Sequence, residues 1–302
     1  MISVSSAFSN ALANGEPQRM VFSFSGGIIS NEDIDVEVGV HLLEEFCSET
    51  DLTIGLTPSA EITFDLLNDD GYYDNFTFGQ FTAYLGVRTS STASSSTATR
   101  PTYSISNGVL TVTGRGVQET YALCKLGVFI APRPDVVHNS TISVAANDRM
   151  ILFDRDMPDA TDLDITYSSS TTMKQVLQKM CAYVGVSLAT STFINSSLAV
   201  SSEPAQFENS TMREVLGWIA EAAGSNARFD RDGNLELVWL NQTNKSVDES
   251  NYSEFVYSWY TAAGVDGLHI RNADSTEEDV LGSDGNKYMI QNNPFLRIDD
   301  SE

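Results

Sequence analysis

Apolar and polar residues alternate with period two through much of the first half of the chain. "DIDVEVGV" sets Ile34, Val36, Val38 and Val40 against Asp33, Asp35 and Glu37, and "AEITFDLL" lines Ile62, Phe64 and Leu66 on one face. This period marks strands with one buried face, so Ile34, Val36, Ile62 and Phe64 are expected inside. "RMVFSF", "GQFTAYLGVR", "GVLTVTGRG", "KLGVFIA" and "STISVAAND" continue the series, and turn signals such as Asp70–Gly71 and Asn107–Gly108 separate them. Short antiparallel strands at this spacing predict a β-barrel or sandwich over residues 1–150. The Ser/Thr-rich stretch "TSSTASSSTATRPT", Thr89 to Thr102, lacks periodicity and reads as a mobile surface loop.

The period then changes to that of a helix, twice. "TMKQVLQKMCAYVG" (Thr172 to Gly185) returns as "TMREVLGWIAEAAG" (Thr211 to Gly224). Each copy opens on a capping box, Thr172 with Gln175 and Thr211 with Glu214, and closes on a glycine suited to a left-handed helix end. The apolar stripes are Met173, Val176, Leu177, Met180, Cys181 and Val184, then Met212, Val215, Leu216, Ile219, Ala220 and Ala223. Both follow the spacing of a helix buried on one side. "NARFDRDGNLELVWL" after the second copy predicts a β-hairpin turning at Asp232–Gly233, and "VSLATSTFINSSLAV" after the first is also strand-like. The unit is helix then strand, and two copies are too few for a solenoid. A small α+β domain over 151–247 follows, either from a duplicated unit or from two independently capped helices. Residues 248–302 return to β, in "EFVYSWYTAAGVDGLHIRN" and "GNKYMIQNNPFLRI", around an acidic turn "DSTEEDVLGSDG". The fold class is mainly β with a small α+β domain.

Composition adds one strong fact. The 302 residues carry 17 basic against 41 acidic side chains, a net charge of −24. Of the acidic residues, 17 lie in 1–150 and 24 beyond it, so the charge belongs to the whole surface. Such a surface repels phosphates, which argues against nucleic-acid binding. The N-terminus has no basic region or long apolar run, so no secretory signal is expected. No apolar run approaches eighteen residues, so no membrane span is expected.

Candidate chemistry is sparse. Cys47, Cys124 and Cys181 are scattered, with no CxxC, and Cys181 falls on a helix stripe as a small hydrophobe. His41, His138 and His269 sit in no HExxH or GxSxG context. "DRDGNLE" resembles a calcium loop but has Leu235 where that loop needs glycine, and "NDDGYYDN" fails likewise; both read as turns. No catalytic, cofactor or metal-binding set is expected, and the protein reads as a non-enzyme. Aromatics cluster late, at Tyr252, Phe255, Tyr257, Trp259 and Tyr260, and Trp218 lies off its helix stripe where the first copy has Lys179. Trp218, Tyr257, Trp259 and Tyr260 are candidates for subunit contact, with burial inside the same chain as the other reading.

Several segments in order resemble the baseplate hub, or tail-tip, proteins of long-tailed bacteriophages and prophages. "DLTIGLTPSAEITFDLLNDDGYYDNFTFGQFTAYLGV" and "KLGVFIAPRPDVVHNSTISVAANDRMILFDRDMP", with its "AxDRM" turn, resemble the first domain of that family. The two capped helices resemble its small second domain, and "GNKYMIQNNPFL" the segment after it. The resemblance covers most of the chain through loose motifs. It implies tail-tube-like barrels, a homotrimeric ring, and a place in the virion between the tube or distal tail protein and the spike or central fibre. It also implies assembly in the host cytoplasm, with DNA ejected through the lumen past an acidic wall. Family members commonly continue beyond "NPFL" into a further helix and a second barrel. Here the sequence ends at Glu302, which implies a shortened chain or one without its own second barrel, and no fused lysozyme or peptidase. Two other classes stand beside this reading: a carbohydrate-binding adhesin module and a cell-wall hydrolase.

Overall fold

The computed structural model describes residues 4–45, 53–132, 140–190, 192–239, 267–271, 277–281, 287–291 and 293–295. Nine strands form one antiparallel sheet: β1 (Gln18–Phe24), β2 (Gly27–Ser30), β3 (Val40–Leu43), β4 (Glu61–Leu67), β5 (Gln80–Ala93), β6 (Thr102–Ser106), β7 (Val109–Gly114), β8 (Val117–Ile130) and β9 (Thr141–Asp148). The strand order is β2-β1-β5-β8-β9-β4-β3, and the β6–β7 hairpin joins through β7 to β8. The mainly-β class expected for this part is observed, but of the expected barrel or sandwich no closed barrel forms: the path does not close among the described residues. The sheet is strongly curved all the same. Four strand spacings of ~4.8 Å would hold β1 and β4 about 19 Å apart if flat. Instead the rings of Phe22 and Phe64 stack with centroids 4.1 Å apart. Phe24, Phe81, Phe129, Ile62, Leu66, Ile142 and Val144 fill the concave face around them.

Three features depart from the sequence reading. A helix absent from that reading, α1 (Ser6–Ala13), is capped by the Ser5 side chain. It packs Phe8 and Ala11 on Val87, Ala122 and Cys124. The alternation at 33–39 is not a strand; β3 starts at Val40. Ile34 is buried and bridges to Leu66, but Val36 is 79% exposed and Val38 45%. The cause is a turn: Asp35 accepts the Glu37 N–H, and Gly39, at φ +76°, donates its N–H to the Asp35 carbonyl. The Ser/Thr-rich stretch is partly strand. β5 runs on through Ala93, and hydroxyls bond across strands, Ser90 to Thr120 at 2.7 Å and Thr89 to Thr120 at 3.0 Å. Threonine suits a pleated strand. With Thr89–Ala93 exposed throughout, hydropathy gives no alternation to read.

The α+β unit holds α2 (Met173–Val184), α3 (Met212–Ala222) and a hairpin of β10 (Asn226–Phe229) and β11 (Leu235–Val238). Both capping boxes are formed. The Gln175 N–H donates to Thr172 Oγ1 at 3.3 Å and the Thr172 N–H to Gln175 Oε1 at 2.8 Å; in the second box the matching distances are 3.2 and 2.7 Å. Each helix start also receives an extended segment. The Met173 N–H donates to the Leu198 carbonyl and the Met212 N–H to the Arg155 carbonyl, so one more unpaired helix-start donor is satisfied in each copy. The stripes are buried in one core that reaches from Met150 to Phe295. α2 ends at Gly185, at φ +74°, and Gly224 follows α3 at φ +59°. Among its described residues the segment after α2 forms no strand; it meets β11 at the Leu188–Leu235 bridge and through Thr190, which bonds Leu237, and it turns through Asn195 at φ +60°. The helix–strand unit is complete only in its second copy.

Strands β12 (Gly267–Arg271), β13 (Glu277–Leu281) and β14 (Lys287–Gln291) form a separate sheet, with β13 antiparallel and β14 parallel to β12. The stretch read as an acidic turn therefore contains β13, whose register sets Glu277 opposite Arg271.

Replacing Thr211 by alanine is expected to lower the unfolding free energy by about 1 kcal/mol, and the Thr172/Thr211 double replacement by about twice that. Urea midpoints measure both. An unchanged midpoint in the double variant would deny the caps any part in stability.

Candidate functional site

The "AANDRM" segment forms a joint between the large sheet and the helical unit. Asp148, at the end of β9, is buried and accepts three hydrogen bonds: from Ser59 Oγ at 2.9 Å, the Ala60 N–H at 3.1 Å and the Met150 N–H at 2.9 Å. Burial pushes its carboxyl above the ordinary range, although those donors pull the other way. Arg149 Nη1 donates to the Gly233 carbonyl at 2.9 Å, and its Nε and Nη2 to Gln80 Oε1 at 3.1 and 2.8 Å. Met150 and Phe153 then enter the helical core. Three adjacent residues cap a turn, clamp a hairpin and fill a core.

The hairpin tip completes the joint. Asp230 Oδ1 accepts the N–H groups of Asp232 and Asn234, both at 2.8 Å, so "DRDGNLE" is a self-bonded turn. Gly233 sits at φ +78°, and a Cβ there would lie 3.0 Å from Val128 on β8. Glycine is required for both reasons. Lys125 pairs with Asp232 at 2.8 Å, and Arg231 bonds the Leu126 carbonyl and Glu44 at 2.9 and 3.0 Å. From the other side, the segment before β4 runs along β10: the Gly55 N–H donates to Ser225 O, the Ala227 N–H to Leu56 O, and the Leu56 N–H to Asn226 Oδ1.

Trp218 is half-buried on α3, beside a groove of about 560 Å³ that includes Ile54, Gly55, Thr57, Gly217 and Glu221. Its backbone and Glu221 hold a distant segment. Asn293 Nδ2 donates to the Trp218 carbonyl at 2.9 Å and to Glu221 Oε2 at 2.6 Å, and Phe295 packs near Phe207 with centroids 6.0 Å apart. Burial pushes the Glu221 carboxyl up, with the Asn293 bond opposing. Part of the surroundings of Trp218 is therefore supplied by its own chain. Tyr257, Trp259 and Tyr260 lie outside the described residues, as do Tyr252 and Phe255.

A second arrangement was not legible in the sequence. Arg19, 9% exposed, pairs with Glu32 and lies 4.0 Å from Glu119. Glu119 pairs with Arg88 and Arg88 with Glu16, each at 3.2 Å. Burial alone would lower the Arg19 pKa, but Glu32 more than compensates and the group stays charged. Nothing local marks these residues; only the register of β1, β5 and β8 brings them together.

Among the described residues no group of three or more His, Cys, Asp or Glu could hold a metal ion. His41 is exposed, with Nε2 3.1 Å from the Val38 carbonyl. Cys124 and Cys181 are buried free thiols, and burial pushes Cys181 up to about 12. Cys47 and His138 lie outside the described residues. No described helix is long and apolar enough to cross a membrane.

No protein-family model matches the chain, and no curated protein matches it. Among solved structures, it is similar to the 43 kDa tail protein of prophage MuSo2 from Shewanella oneidensis, with 15% identity, 91% of this chain and 72% of that one covered, and a TM-score of 0.46. It is also similar to the tail protein from Neisseria meningitidis MC58, with 11% identity, 91% and 70% covered, and a TM-score of 0.45. Neither likeness reaches the level of a shared fold.

Proposed function

We propose that this protein is a non-enzymatic structural component of a phage or prophage-derived tail, a baseplate hub or tail-tip protein. In this reading it links the tail tube or distal tail protein to the spike or central fibre, as a homotrimer in the virion. The observation that carries it is the joint at Asp148–Met150. A protein that holds neighbours in register needs its parts fixed to one another, and here charged and backbone bonds fix a hairpin to the sheet on two sides. The same segment carries the sequence resemblance, and the two capped helices that share it are formed. Residues 1–150 would meet the tube, 151–247 would brace the ring, and 248–302 would begin a further unit. Trp218 and the aromatics Tyr257, Trp259 and Tyr260 would anchor subunit contacts. The uniform negative charge suits a wall along which DNA passes without adhering.

Three copies at −24 each repel one another, so association is expected to strengthen with salt. The screening length falls from ~8 Å at 0.15 M to ~3 Å at 1 M. Sedimentation velocity over a salt series, alone and with the products of neighbouring tail genes, reads this directly. The expected result is a trimer, or a complex with a neighbour, that grows with ionic strength. A strict monomer that binds none of those neighbours at any salt overturns the proposal.

A further inference from the structure

Strand β1 starts at Gln18, opposite Val87, so β5 runs on past it with β8, β7 and β6 beside it. The registers line up side chains across these four strands. One row is Ser90–Thr120–Thr111–Ser104, and the next is Thr92–Gln118–Thr113–Thr102. Side chains alternate between faces along a strand, so both rows lie on one face. Ser90, Thr92, Thr102, Ser104 and Gln118 are exposed. The opposite face carries Leu110, Val112 and Tyr121 into a buried cluster with Val21. Charge lies on that side too, where Arg88 pairs with Glu119 at 3.2 Å. The rows hold none, on a chain with 17 basic and 41 acidic residues. Their polar atoms are partly spent on one another. Ser90 Oγ and Thr120 Oγ1 lie 2.7 Å apart, and Gln118 Nε2 donates to Thr113 Oγ1 at 3.4 Å. Burying such a face costs far less than burying a charged one.

The missing charge narrows the partner. A basic partner would gain from carboxylates here and finds none. Phosphates find no cation to hold them. A partner that is itself acidic gains from their absence, because like charges brought together at a contact oppose it. A second copy of this chain, at −24, is such a partner. Four strands at ~4.8 Å and two steps of two residues at ~6.8 Å make the rows about 19 by 14 Å. That is about 270 Å², a third of the ~800 Å² each partner gives to an interface of standard size. The rows therefore form the charge-depleted centre of a contact, with a polar rim around it. Their half-width of about 7–9 Å is close to the screening length of ~8 Å at 0.15 M and well beyond ~3 Å at 1 M, so salt shields the centre from charges on the rim.

We propose that this hydroxyl face of β5, β6, β7 and β8 is the surface through which one copy of the chain packs on the next. The inference rests on the homotrimer reading above and deepens it by naming the contact.

The test compares two neighbouring serines by sedimentation equilibrium of the full chain at 1 M salt. Ser90 lies on the face, and Ser91, also exposed, points to the opposite side of the same strand. Ser90→Asp should weaken self-association at least about tenfold, because an unpaired carboxylate must then be buried and salt does not remove that cost. Ser91→Asp adds the same charge to the same strand and should change it less than about threefold. Hydrogen exchange on the unmodified protein gives a reading independent of variant folding. Exchange at residues 89–93 and 102–106 should slow as protein concentration rises. Equal association of parent and Ser90→Asp, or protection elsewhere on the chain, removes this face and leaves the homotrimer standing. A parent that stays monomeric but binds products of neighbouring tail genes also overturns the proposal, while the hub reading survives. A parent that does neither overturns both.

Discussion

Truncation of Phe64 to alanine is expected to lower the unfolding free energy by about 3–5 kcal/mol. Phe64 is 1% exposed, stacks on Phe22 at 4.1 Å and meets Phe81 edge to face at 6.3 Å. Removing the ring forfeits its transfer from water and leaves a hole. The lining is held by strands on two arms of the curved sheet and cannot collapse into the space. The pair energy of stacked rings, ~0.5–1.5 kcal/mol, goes with it. Folded proteins keep only ~5–15 kcal/mol in hand, so the variant should lose a large share of its stability. Chemical denaturation followed by circular dichroism measures the loss, and Phe64→Leu, which refills much of the volume, should lose less than half as much. A shift below about 1 kcal/mol in the alanine variant would mean that the two arms of the sheet do not meet at these rings.

Asp148→Ala is expected to be destabilising by about 2–5 kcal/mol, because it strands the Ala60 and Met150 N–H groups in a buried place. Each orphaned donor costs about 1–3 kcal/mol. The joint should loosen with it, so amide exchange at Met150 and around Gly233 should quicken more than at Phe64. Uniform quickening, or a midpoint within about 1 kcal/mol of the parent, would refute the assignment. The same residue sets an unusual pH dependence. Burial raises the folded carboxyl above its ordinary 3.8, so the folded chain holds this proton to higher pH than the unfolded chain does. Its contribution is therefore fully present below 3.8 and declines as pH rises through the folded value. An Asp148→Asn variant has no such proton. The margin of the parent over this variant should shrink as pH rises above 3.8, opposite to a salt-bridged aspartate. Parallel urea titrations across that range give the sign.

Local signals were legible where the physics is local. Thr172 and Thr211 cap their helices because a hydroxyl reaches a backbone N–H three residues on, whatever the rest of the chain does. The buried stripes follow from the helical period, and the Asp232–Gly233 turn follows from glycine's freedom at positive φ. The alternation of Ile62, Phe64 and Leu66 identified a true strand because β9 and β3 flank it. The same alternation failed at Val36 and Val38. Period two specifies two faces only if a neighbouring strand accepts the backbone bonds, and here a turn through Gly39 satisfies them instead. The polar strand at Thr89–Ala93 failed in the opposite sense, since pairing with β8 rather than burial makes it a strand. The curved, open form of the sheet was not written in any segment either, because curvature and register are settled by how nine strands pack together. The joint and the arginine pairs depend on the same cause. Asn293 bonds residues more than seventy positions away, Arg149 meets Gly233, and Arg100 finds Asp33 and Asp70. Local residue chemistry decided which helices and turns form. The tertiary structure alone decided which charged and aromatic side chains meet, because such pairs are selected by strand order and register rather than by distance along the chain.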